Sequence, residues 1–183
     1  LNSHAEGRFT SASNSYSHAE GYQTITTGGG AHAEGGFTIA SGSYSHAEGI
    51  NTLASGFYSH AEGRNTTASG YNSHAEGDNS NAEGDNSNAE GSGSQALGDY
   101  SHASGNSTLA SGTASYTEGY LTTASGDYSH AEGSGSQALG DVSHASGINT
   151  LALSSASYSE GFYTTASGEY THAEGIRTKA LGT

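Results

Sequence analysis

The chain has 183 residues with 29 Gly and no Pro, Cys, Met or Trp, and it holds too few Leu, Ile, Val and Phe to fill a conventional globular core. A formal charge of -14, with only Arg8, Arg64, Arg177 and Lys179 against 18 acids, argues against nucleic acid or an anionic membrane as partner. No apolar run approaches the about 20 residues of a membrane-spanning helix, and repeats run to both ends, so the chain reads as a segment of a longer protein.

Such a composition invites disorder, but the absence of Pro and the regular phase of the 12 Tyr favour order. Gly stands at 24 of the 26 positions that are multiples of seven, the exceptions being Asn14 and Ser154. Two residues earlier stands Ala in 23 of 26 units, and four residues earlier Ser or Thr in all but the unit with Ala31.

From the N-terminus, the units ending at Gly7, Gly21, Gly35, Gly49, Gly63 and Gly77 read His-Ala-Glu-Gly, as do those ending at Gly133 and Gly175. The units between tend to Leu53-Ala54-Ser55-Gly56 or Thr67-Ala68-Ser69-Gly70, so the true repeat is 14 residues, present about thirteen times. Further on, the block Ser94–Gly133 recurs 42 residues later as Ser136–Gly175. No linker or compositional break interrupts the series, which predicts a single domain over 1–183.

A coiled-coil heptad is excluded by chemistry, because a Gly in every seven residues costs a helix about 1 kcal/mol each. Collagen requires Gly every third residue. A strand fits: in Ser-x-Ala-x-Gly small and large residues alternate, which sends Ser and Ala to one face and the x residues to the other. The glycines, among them Gly49, Gly56, Gly63, Gly70 and Gly77, are expected at the turns, followed by turn formers such as Arg64-Asn65 and Ser134-Gly135. Two units make one flattened coil, coils stack in parallel at about 4.8 Å, and the whole would rise roughly 60 Å. Only Ala, Ser and Thr fit so thin an interior, where hydroxyls bond to backbone or to one another. Little apolar area is buried, so association with neighbours is expected.

The repeat Ser-His-Ala-Glu-Gly-x-x-Thr-x-Ala-Ser-Gly-x-x resembles, over the whole chain, the head repeats of YadA-like trimeric autotransporter adhesins, with Ser45, Ala47, Gly49, Ala54 and Gly56 at the matching positions. His46 and Glu48 stand where that family usually has Val and Ile. Similar repeats occur in phage tail fibres and other bacterial surface fibres. The resemblance implies an all-β, left-handed parallel β-roll (a β-solenoid with two short strands per coil), a homotrimer, and a structural, non-enzymatic role on a cell or virion surface, with a host-surface receptor as a possible further partner.

The outward positions form two faces. One is a ladder of His4, Glu6, His18, Glu20, His32, Glu34, His46, Glu48, His60, Glu62, His74, Glu76, His130, Glu132, His172 and Glu174. The other carries Ile25, Ile39, Leu53, Leu97, Leu109, Leu139, Leu151, Leu153 and Leu181 among Thr, Ser, Gln and Lys179. Area favours the aliphatic face as the oligomer interior, but the register of the resemblance and the lesser drift of the ladder favour His and Glu. We expect the latter at the axis, His of one chain bonding Glu of the next, with protonated His neutralising Glu so that deprotonation loosens the assembly.

Ten His also invite a catalytic or metal reading. An even row supplies no single preorganised pocket, so no catalytic residue and no cofactor is expected. His18, His32, His46, His60 and His74 are the candidates for a transition metal, with stacked structural pairs preferred. Tyr16, Tyr44, Tyr58, Tyr100, Tyr128 and Tyr170 form a stripe along one turn edge, read as mutual bracing over receptor contact. Two further alternatives are a filament stacked through uncapped ends and an ice-binding solenoid. The latter is disfavoured because Thr10, Thr38, Thr52, Thr66, Thr108 and Thr150 share the inward phase, leaving Thr67, Thr123 and Thr165 outward.

Overall fold

The computed structural model describes residues 2–182, and among these every regular element is a β-strand. Contacts divide the chain into two units, Leu1–Ser92 and Gly93–Thr183. In the first, five-residue strands alternate with two-residue strands: β1 (His4–Arg8), β2 (Ser11–Ala12), β3 (His18–Tyr22), β4 (Ile25–Thr26), β5 (His32–Gly36), β6 (Ile39–Ala40), β7 (His46–Ile50), β8 (Leu53–Ala54), β9 (His60–Arg64), β10 (Thr67–Ala68), β11 (His74–Asp78), β12 (Asn81–Ala82) and β13 (Asn88–Ser92). The second continues the alternation: β14 (Gln95–Ala96), β15 (His102–Asn106), β16 (Leu109–Ala110), β17 (Tyr116–Tyr120), β18 (Thr123–Ala124), β19 (His130–Ser134), β20 (Gln137–Ala138), β21 (His144–Ile148), β22 (Leu151–Ala152), β23 (Tyr158–Phe162), β24 (Thr165–Ala166), β25 (His172–Ile176) and β26 (Lys179–Ala180).

Within each unit every long strand pairs in parallel with the next long strand, and every short one with the next short one. The register is fixed by the repeat, His32 opposite His46 and Ala40 opposite Ala54. Each unit is therefore a parallel β-solenoid with two strands per 14-residue coil, the class the spacing predicts.

The interior is the predicted one. Ala47, Ala54, Ala61 and Ala68 are fully buried, as are Thr52 and Thr66, and in the second unit Ala124, Ala131, Ala138, Ala145 and Ala152 form one buried file. Each such methyl contributes only about 0.8 kcal/mol, so backbone ladders and close fit carry much of the order. The buried Ser hydroxyls bond back across the turn, Ser45 Oγ donating to the Gly42 carbonyl at 2.7 Å and Ser59 Oγ to Gly56 at 2.8 Å. Ladders between hydroxyls are few: Thr108 donates to Ser94 at 3.1 Å and Thr150 to Ser136 at 2.9 Å. Oγ1 of Thr24, Thr38, Thr52, Thr66 and Thr122 finds no acceptor, contrary to a continuous hydroxyl ladder.

Both kinds of glycine sit against the backbone of the next coil, for different reasons, although Asn14 and Ser154 stand at the second kind of position. Gly49 lies inside β7 and not in the turn, at φ 112, and a Cβ there would fall against the carbonyl of Gly63. Gly56 opens the turn and needs no positive φ, yet a Cβ on it would meet the Gly70 carbonyl. Here the short strand ends because two donors share one acceptor: the amides of Ser55 and Gly56 both reach the Ala68 carbonyl, at 2.9 and 3.3 Å.

The second residue after each glycine is left-handed. Asn65, Asn79, Asn86 and Gly135 satisfy this as the turn chemistry predicts, but so do Tyr44 at φ 57, Leu121 at 54 and Val142 at 56. Bulky side chains avoid this region, at a cost of roughly 1–2 kcal/mol. They hold it because each such amide donates to the coil before, as Tyr44 does to Gly29 and Leu121 to Asn106, both at 2.9 Å.

Candidate functional site

Along the long strands, the first residue and the third point outward on one face because the second is buried between the sheets. This places His beside the Glu two residues on. Nε2 of His18, His32, His46, His60, His74, His130 and His172 lies 3.5–3.8 Å from Oε2 of Glu20, Glu34, Glu48, Glu62, Glu76, Glu132 and Glu174. His4 and Glu6 are closer, at 3.4 Å, and more exposed. Most of these separations suit ion pairing but are long for a hydrogen bond. Nε2 of His18, His32, His46, His60 and His130 is shielded from solvent with no hydrogen-bond partner.

Across coils the imidazoles stack. Ring centres are 4.8 Å apart for His18 and His32, 4.9 Å for His32 and His46, and 4.9 Å for His46 and His60, with the first pair parallel within 1°. In the second unit the column is mixed: His102, Tyr116, His130, His144, Tyr158 and His172 follow one another at 4.6–4.8 Å. Tyr116 and Tyr158 are members of the ladder that a reading confined to His overlooks, although the 14-residue offset from His102 and His144 points to both. Their hydroxyls donate to Glu118 at 2.9 Å and Glu160 at 2.6 Å, and Asn88 donates to Glu90 at 2.9 Å. The recurring feature is thus a donor paired with a carboxylate on one strand, with imidazole the commonest donor; β15 and β21 depart from it, carrying Ser104 and Ser146 in place of Glu.

The electrostatics of the stack follow from its burial and its spacing. Burial first, and then the neighbouring imidazoles, push His32, His60 and His144 below the ordinary value of 6.5, outweighing the attraction of the nearby carboxylates. Within the single chain these rings are held towards the neutral form. Two imidazoles closer than about 5 Å cannot both ionise freely.

As for metal, stacked rings offer their nitrogens side by side and not towards one centre, and no trio of His, Asp or Glu that could hold an ion occurs among the described residues. Among the described residues, His18, His32, His46, His60 and His74 each come within ion-pairing distance of the Glu two residues on.

The opposite face and the turn edges are open. Ile25, Ile39, Leu139 and Leu153 are 36–39% exposed. Tyr44 and Tyr58 stack at 5.4 Å, and Phe57 and Tyr71 complete an aromatic cluster beside them. Among the described residues Tyr16, Tyr100, Tyr128 and Tyr170 touch no ring, and they stand 65–83% exposed, so bracing describes part of that stripe and not all of it.

A comparison with known families finds that windows 33–59, 47–73 and 61–87 match the YadA head domain repeat. Over residues 33–87 the chain is thus similar to the YadA head domain repeat. The matched windows advance by the same 14 residues as the coils, and each spans a YadA head repeat from one buried long-strand Ala to the turn of the following coil. The YadA head repeat is a structural, adhesin-type module. None of the curated proteins matches the chain. No helix of the structure is long and apolar enough to cross a membrane.

Proposed function

We propose that the chain is a stiff segment of an extracellular fibre of the adhesin kind, carried on a cell or virion surface, in which three copies pack through their His/Glu faces. Residues 1–183 act as one domain that projects and attaches, without a prosthetic group or a reaction. The observation that carries this reading is the column of half-exposed carboxylates on Glu20, Glu34, Glu48, Glu62 and Glu76, each beside one imidazole of its own strand. A carboxylate accepts several hydrogen bonds, and donors from neighbouring copies would fill the acceptor positions that face outward. The competing face is interrupted: Thr67, Asn81, Gln95, Thr123, Gln137, Thr165 and Lys179 stand at the repeat position that Ile25, Ile39 and Leu53 occupy. A phage tail fibre would use the same mechanics with a different base.

Sedimentation of the chain tests the reading. A species of three times 18.3 kDa is expected. Replacing Glu34, Glu48 and Glu62 together by Arg is expected to give monomers, whereas Ile39→Arg with Leu53→Arg leaves the trimer intact. The reverse pattern would move the aliphatic face to the axis, and a monomeric wild type at all concentrations would remove the trimer.

A further inference from the structure

The second unit carries an open groove of about 390 Å³, lined by Asn149, Leu151, Tyr163, Thr165, Arg177 and Lys179. It lies between two columns of the repeat. Asn149, Tyr163 and Arg177 are the left-handed turn residues of successive coils, and Leu151, Thr165 and Lys179 open the short strands β22, β24 and β26. The backbone of the first column is pinned, the amides of Asn149, Tyr163 and Arg177 donating to Ser134, Ile148 and Phe162 at 2.8–2.9 Å. Half-buried Leu151 and Thr165 contrast with the exposed Asn149, Tyr163, Arg177 and Lys179.

Charge sets this groove apart. The chain has only four cations. Arg64 is paired with Asp78, and Arg8 lies over the rings of Phe9 and Tyr22. Arg177 and Lys179 have no carboxylate or ring partner among the described residues, and no acid lines the groove. The equivalent column positions in the preceding coils are Leu121 with Thr123 and Gly135 with Gln137, which carry no charge.

We infer that this groove binds a sugar ring bearing a carboxylate. The guanidinium of Arg177 presents a planar fork that matches a carboxylate, and the Lys179 ammonium adds a second positive charge. Tyr163 offers an aromatic face and Leu151 an apolar patch for the C–H side of a pyranose. The Asn149 amide and Thr165 hydroxyl both donate and accept, as sugar hydroxyls require. The volume falls at the small end of ligand sites, which span about 300–1,000 Å³. A polyanion such as nucleic acid is disfavoured by the -14 charge of the chain, whereas a singly charged sugar feels mainly the local pair. The inference deepens the attachment reading proposed above by naming what is recognised, and it requires the His/Glu face, not this one, at the oligomer axis.

Sialyllactose and lactose, which differ only by the acidic sugar, are the probes, titrated into the chain by calorimetry and ligand-observed NMR. Saturable binding of sialyllactose is expected, with lactose bound at least about tenfold more weakly. The double variant Arg177→Gln, Lys179→Gln should lose about ten- to a hundredfold in affinity for sialyllactose while keeping its circular dichroism. Equal binding of the two sugars, unchanged affinity in the double variant, or no saturable binding overturns the site. Adhesion of the wild type and the variant to sialylated surfaces separates the two readings. Equal adhesion of both leaves attachment standing without this groove, and sialyllactose binding without any adhesion leaves the groove standing without attachment.

Discussion

At Gly49 the backbone of the next coil leaves no room for another carbon, and at Tyr128 the turn holds a bulky side chain in a region such side chains avoid. These are two forms of the same control by the next coil. A methyl at position 49 meets the Gly63 carbonyl, which belongs to the ladder and cannot move alone. Gly49→Ala is therefore expected to destabilise the chain by at least the about 3 kcal/mol that marks severe overpacking, read from urea unfolding. Tyr128 holds φ 57 with no ring contact and 66% exposure. Tyr128→Asn is expected to raise stability by up to about 1 kcal/mol, because Asn tolerates left-handed backbone better. A loss would mean that the exposed ring makes a stabilising contact with a neighbouring copy. The inward Ser, Thr and Ala were legible in the sequence because a thin interior admits nothing larger. The left-handed Tyr, Leu and Val were not, because local propensity predicts Gly or Asn there and only the hydrogen bond from one coil to the next overrides it.

The long strands carry the titratable column, and its chemistry belongs to the element as a whole. The His60 ring is faced by His46 of β7 and His74 of β11, with Glu48 and Glu62 as the nearby carboxylates. The folded values of His32, His60 and His144 lie below 6.5, so between the folded and unfolded values the unfolded chain binds more protons. Stability should then be fully present above the ordinary imidazole value and fall as the pH drops through the lowered ones. Thermal melts from about pH 8 to 5 are expected to show this decline. His32→Asn with His60→Asn, following the precedent of Asn88, should flatten it; an unchanged slope would assign the acid sensitivity to other groups. In the second unit Tyr116 and Tyr158 interrupt the imidazole column, which reduces the number of like charges that meet. The alternation of His with Glu was visible from the sequence, and so was the stacking. The pairing within one strand was not, since it depends on side-chain reach, nor was the unequal length of the two strand types, since both units of the repeat have the same letters at their buried positions.

For the molecule, the repeat implies stability that adds coil by coil. Removing residues 50–63 would join Gly49 to Arg64 and restore the register, with β7 followed by the turn that follows β9. That deletion is expected to fold, with a smaller unfolding enthalpy. Removing residues 50–56 alone would place a His-Ala-Glu-Gly segment where a short strand belongs and is expected to abolish folding, as seen by circular dichroism. The period was the part of the fold most legible in the sequence, because a Gly that must clear a carbonyl leaves no freedom in spacing. The groove beside Arg177 was not, because it depends on how two outward columns sit side by side. The bond from each turn amide to the preceding coil has one more result. Tyr, Asn, Gln, Leu, Val, Ser, Ala, Arg and Gly all occupy the same turn geometry in this chain. The edge of the solenoid is in effect a blank margin: letters there are exchanged within the roughly 1–2 kcal/mol that left-handed backbone costs a bulky side chain, so the chemistry of the margin is free to change while the scaffold stays the same.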